Sequence, residues 1–112
     1  MKDYPALAAE LRAGAKELTA AIPDTMAGFR SLMHAAGADG ALDARTKELI
    51  ALAIAVAARC DGCVASHARA VLESGAERAE VAETIGVAIL MGGGPSMVYG
   101  VEALRAYDQF AA

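Results

Sequence analysis

The sequence predicts an all-α protein of about six helices, in a single domain spanning residues 1–112. Three observations carry that expectation. Apolar residues recur at three- and four-residue spacing, and no segment shows the alternation of a half-buried strand. Alanine, a strong helix former, occurs 29 times. Glycine and proline cut the chain into segments of helical length.

The first segment carries Pro5 at a position suited to a helix's first turn, followed by Leu7, Leu11, Leu18 and Ile22, and Pro23 ends it. Asp24 is the expected N-cap of a second helix bearing Met26, Phe29, Leu32 and Met33, stopped by Gly37. "GADGALD" reads as a loop whose last residue, Asp43, caps a third helix from about Ala44 to Ala58. That helix starts polar and becomes apolar all round, the mark of a buried or interface helix. A fourth begins at Gly62 or Cys63 and runs to Ser74, with Gly75 at its C-terminal cap. A fifth covers roughly Glu77 to Met91, its acidic start matching the helix dipole. "GGGP" breaks the chain again, and Pro95 opens a last helix through Tyr107.

Composition narrows the function classes. The chain is 56% hydrophobic but only 4% aromatic, so its core must be aliphatic and small. A single core of that kind is marginal at 112 residues, which predicts a homo-oligomer. A net charge of −4 with no Lys/Arg cluster argues against nucleic acid or an anionic membrane as partner. The longest uncharged apolar run, Leu49 to Ala58, is half of the roughly 20 residues a bilayer requires. "MKDYPALAAEL" does not read as a secretory signal, so the expected compartment is a reducing cytoplasm.

Both cysteines and one of the two histidines fall in "ARCDGCVASHARA". Three readings compete for Cys60, Cys63 and His67. A structural staple closing so short a loop contributes only about 2 kcal/mol on the chain-entropy model. A zinc clip would have three ligands where structural zinc takes four, and His34, the other histidine, lies in a different helix. Redox chemistry needs fewer assumptions. Residues 63 and 67 are i and i+4, so thiol and imidazole share a helix face. The imidazole can take the thiol proton, directly or through a water. Cys63 in a first turn also feels the positive end of the dipole, which lowers a thiol pKa. Cys60 is then placed to close a disulfide on whatever forms at Cys63. Glu48, at the head of ten uncharged residues, "LIALAIAVAA", reads from spacing alone as a solvated first-turn glutamate.

The pattern E-x11-C-x2-C-x3-H, here Glu48, Cys60, Cys63 and His67, resembles the signature of the AhpD-like alkylhydroperoxidases, within the carboxymuconolactone decarboxylase family. The likeness extends over about residues 24–110, including "RCDGCVASH" and the "GGGP" break. It implies an all-α fold assembled as trimers or hexamers. It implies no bound cofactor, only a redox-active Cys60–Cys63 disulfide served by an external dithiol of lipoyl type. In that scheme Cys63 attacks a peroxide, Cys60 resolves, and His67 with Glu48 forms a proton relay. One departure is visible: the family's peroxidases carry a histidine inside the CxxC that assists the resolving cysteine, and Gly62 stands there. Cys60 must then rely on local dipoles or solvent. The decarboxylase branch generally lacks the cysteine pair, so a lactone decarboxylase is the less favoured member. A non-catalytic, redox-sensing oligomer is the alternative outside enzymology.

The remaining residues of note read as structural. His34 is a surface or packing residue, Tyr99 and Tyr107 are packing residues with a hydroxyl at the edge, and Met91 and Met97 fill core gaps. Arg59 and Asp61 are expected at helix ends, with Asp61 capping the fourth helix. Gly92–Gly94 lacks the Lys-Ser/Thr of a phosphate loop.

Overall fold

The computed structural model describes residues 1–112 as six α-helices and no strands. They are α1 (Tyr4–Ala21), α2 (Pro23–Gly37), α3 (Ala44–Ala57), α4 (Asp61–Glu73), α5 (Arg78–Gly92) and α6 (Gly94–Ala111). Helix number and order follow the sequence pattern, and the boundaries show where local chemistry was misread.

Pro23 both ends α1 and starts α2 as its first helical residue, leaving Ile22 at the junction. Proline's fixed φ and missing N–H suit that position. Asp24 is therefore not the N-cap but lies inside the first turn of α2. Asp43 does cap α3, its Oδ1 accepting the Thr46 N–H at 2.7 Å. Helix α4 starts one residue earlier than expected because Cys60, not Asp61, is its N-cap. Helix α6 continues past Tyr107 because its last turn is tied down. Gln109 accepts the Tyr4 N–H at 2.9 Å and donates to Lys2 O at 2.9 Å, while Asp108 binds Arg78.

Helices α3 and α4 end alike. The Cys60 N–H reaches Ala55 O at 3.1 Å and the Arg59 N–H reaches Val56 O at 3.2 Å; Ala76 and Gly75 repeat the pattern on Val71 and Leu72. Such an ending puts its pivot residue in the left-handed region. Gly75 adopts φ 86° freely, whereas Arg59 does so at φ 55° with a side chain to accommodate. This bend turns the chain from α3 into α4 within three residues and sets the cysteines at the start of α4.

The core lies among α3, α4, α5 and α6, where Leu52, Val56, Val64, Val71 and Val81 are fully buried. Alanines and Gly100 let the helices approach closely. A Cβ on Gly100 would sit 2.5 Å from Ile85 Cγ2, so α5 and α6 meet there over a bare backbone. Tyr107 behaves as predicted, buried with its hydroxyl donating to Ala76 O at 2.8 Å.

Helix α2 contributes no buried residue and rests mainly on α1. Phe29, Leu32 and Met33 are each more than half exposed. Met91 and Met97 do not fill the core as expected: they are 81% and 49% exposed. The chain presents 6715 Å² of surface, whereas a compact 11.4 kDa monomer presents about 5,800 Å². No helix is long and apolar enough to cross a membrane.

Candidate active site

Cys60 and Cys63 are joined by a disulfide at the N-terminus of α4. Their positions follow from the bend: Cys60 has extended backbone as N-cap, and Cys63 lies one turn in. The Cys63 N–H donates to Cys60 Sγ at 3.2 Å, so a sulfur fills the role an Asp or Ser side chain usually plays at a cap. Once the disulfide is reduced, this N–H and the helix dipole favour negative charge on Cys60. That is the local dipole the sequence left Cys60 to rely on in the absence of a histidine at position 62.

His67 stands one turn beyond Cys63 on the same face of α4. Its Nδ1 is 2.7 Å from Glu48 Oε2, which comes from the first turns of the adjacent α3. Both side chains are about 30% exposed. An ionised carboxylate only accepts hydrogen bonds, so the imidazole presents N–H at Nδ1 and, when neutral, a free lone pair at Nε2. Glu48 thereby fixes both the tautomer and the ring orientation. The solvated-glutamate reading of the spacing fails for this reason: the crossing of α3 over α4 gives Glu48 a partner.

All four residues line one cavity of about 620 Å³. Leu11 from α1, Phe29 and Met33 from α2, and Ala51 from α3 form its apolar wall, with Lys47 and Ser66 as further polar lining. None of these was singled out for the site from sequence, since each helix contributes residues whose meeting no local pattern records. Leu11 has a specific role. A Cβ on Gly62 would lie 2.7 Å from Leu11 Cδ1, so this leucine occupies the space over the middle of the CxxC. His34 is exposed and does not line the cavity. No three His, Cys, Asp or Glu side chains are grouped as a metal ion would require.

On the far side of the CxxC, Asp61 anchors the chain's N-terminal segment. Lys2 Nζ bonds Asp61 Oδ2 at 3.0 Å and Glu102 Oε1 at 3.3 Å. The hydrogen bond to Asp61 is the main cause of a raised Lys2 pKa. Tyr4, buried, donates to Glu102 Oε1 at 2.7 Å, and burial foremost pushes its hydroxyl pKa up. The Asp61 carboxylate likewise raises that of Tyr99.

The arrangement defines a class of protein: all-helical, with a vicinal cysteine pair at a helix N-terminus and a carboxylate-backed histidine opening on the same apolar cavity. Comparison with known proteins makes the class specific. The carboxymuconolactone decarboxylase family matches residues 23–106, and the chain belongs to that family. The crystal structure of apo-lpg0406, a carboxymuconolactone decarboxylase family protein from Legionella pneumophila, superposes with a TM-score of 0.95 at 42% identity over 97% of both chains. An uncharacterized protein of Cupriavidus necator is 43% identical over 90 residues, 80% of each chain. An uncharacterized protein of the cox locus of Paracoccus denitrificans is 37% identical over 81 residues, 72% of this chain and 73% of its own.

Proposed function

We propose that this protein is a thiol-dependent peroxidase of the alkylhydroperoxidase type, or a closely related dithiol–disulfide oxidoreductase. The observation that carries this reading is the shared cavity, where the Cys60–Cys63 pair and the Glu48–His67 hydrogen bond face the same solvent-reachable space.

In the reduced protein, His67 Nε2 takes the proton from the Cys63 thiol. The thiolate attacks the terminal oxygen of ROOH, the O–O bond breaks, and Cys63 becomes a sulfenic acid. His67 returns its proton to the departing alkoxide, giving ROH. Cys60 sulfur then attacks Cys63 sulfur. The hydroxide leaves with the Cys60 proton as water, and the disulfide present in this structure results. An external dithiol of lipoyl type restores both thiols by exchange and is itself oxidised to a disulfide. Each turn converts one peroxide and one dithiol to alcohol, water and disulfide. A reducing cytoplasm suits that supply.

Assembly into a homo-oligomer, trimer or hexamer, belongs to the same reading. Its support is the excess exposed surface and the apolar residues of α2 and α5 that no helix of the chain covers. Those surfaces also favour a second reading, a redox sensor whose disulfide only alters assembly.

Peroxide consumption with a dithiol reductant separates the two. The peroxidase consumes peroxide in proportion to protein and loses this with Cys63→Ser. Equal, slow consumption by wild type and variant, with an assembly change on oxidation in the ultracentrifuge, leaves the sensor.

A further inference from the structure

One charged residue of the cavity wall is not used by the thiol chemistry. Lys47 donates a single hydrogen bond, to Ala38 O at 2.6 Å, and pairs with no carboxylate. Lys2, Arg45, Arg69 and Arg78 each meet an Asp or Glu, whereas Arg12, Lys16, Arg30, Arg59 and Arg105, like Lys47, form no ion pair; of the unpaired cations Lys47 is the one that lines the cavity. An ammonium has three N–H donors, so two remain at Lys47. The acidic residue beside it in the chain, Glu48, is engaged by His67. Around Lys47 the wall is largely apolar, supplied by Leu11, Phe29, Met33, Ala36 and Ala51.

A cavity of about 620 Å³ is within the range that holds a whole organic molecule, far more than hydrogen peroxide requires. Its lining asks for an apolar body and one anionic group. Lys47 is half-buried and is the one Lys or Arg of a lining that otherwise holds Glu48, His67, Ser66, the two cysteines and apolar side chains, and its remaining donors match one carboxylate.

We propose that Lys47 is the carboxylate-binding residue of this cavity, and that the substrate is an amphipathic organic acid whose hydroperoxide group reaches Cys63. The inference rests on the peroxidase reading for the hydroperoxide, but not for the carboxylate. The apolar chain lies along α1 and α2, the carboxylate replaces water on the Lys47 ammonium, and its reactive end faces the cysteines. Lys47 is a specificity residue here and takes no part in bond making.

The test measures iodoacetamide alkylation of Cys63 in the reduced protein, with decanoate or 1-decanol as protecting probe below its micelle concentration. The variants are Lys47→Gln, which keeps an N–H donor on a side chain one atom shorter but is uncharged, and Lys47→Arg, which restores the cation. Decanoate should protect wild type and Lys47→Arg at about fivefold lower concentration than Lys47→Gln, the scale of one partly exposed charge pair. Protection by 1-decanol should be the same in all three. Equal decanoate protection in wild type and Lys47→Gln overturns the proposal, as does a parallel loss of decanol protection, which would mark a structural role. Since the readout needs no turnover, a chain that shows the charge-dependent protection yet consumes no hydroperoxide keeps the carboxylate assignment and loses the peroxidase reading.

Discussion

His67 Nδ1 and Glu48 Oε2 lie 2.7 Å apart although 19 residues separate them in the chain. This hydrogen bond joins α3 to α4 at the wall of the cavity that holds the cysteines, and it determines which imidazole nitrogen is free to accept a proton.

The pair should behave as one unit. His67→Ala is expected to lower peroxide turnover by about 100-fold, the lower end of what a positioned acid–base group contributes. Glu48→Gln should lower it less, because the ring remains but loses its fixed tautomer. The double variant should be no slower than His67→Ala alone. Steady-state rates with a dithiol reductant check this, and additive losses would mean that the two residues act separately.

Leu11 and Gly62 share one space. Gly62→His, which installs the histidine of the family's peroxidases, should raise turnover less alone than beside Leu11→Ala, because Leu11 Cδ1 lies 2.7 Å from where its Cβ must go and the half-exposed leucine has to swing aside first. Combined with Leu11→Ala the histidine can be seated, and the double variant should turn over faster than either single one. Peroxide consumption by the three variants decides the matter; equal improvement in Gly62→His alone and in the double variant would show that the leucine swings aside at no cost.

Gly100→Ala tests the approach of α5 and α6. In an isolated helix this change stabilises by about 1 kcal/mol. Here the added methyl meets Ile85 Cγ2 at 2.5 Å, and overpacking of that kind costs about 1–3 kcal/mol. Urea unfolding should therefore show a lower midpoint with unchanged slope. A raised midpoint would mean that the two helices can separate freely.

Acid should weaken two helix-level contacts. Hydrogen bonds from Thr46 hold the Asp43 carboxyl below its ordinary value of 3.8, and the Arg78 guanidinium does the same for Asp108. A carboxyl whose folded value is depressed contributes stability above its unfolded value and loses it as pH falls through the folded one. The melting temperature should accordingly drop between about pH 5 and pH 3. Asp43→Asn and Asp108→Asn, measured over the same range by circular dichroism, should each flatten that drop.

The sequence by itself determined six helices in order, the Asp43 cap, and a cysteine pair opening α4 with His67 on its face. Those features are local: helical period, caps and i, i+4 spacing are decided within a few residues. Even so, Pro23 shifted the start of α2, and Cys60 took the cap assigned to Asp61, because competing caps differ by little energy. Glu48 as a partner of His67 followed from the resemblance of the whole motif and not from local spacing, and Leu11 over Gly62 and Lys47 among apolar neighbours were decided by tertiary structure alone. Each depends on how helices cross. Crossing is set by the shape of many aliphatic side chains packed together, which no short stretch of an alanine-rich chain records.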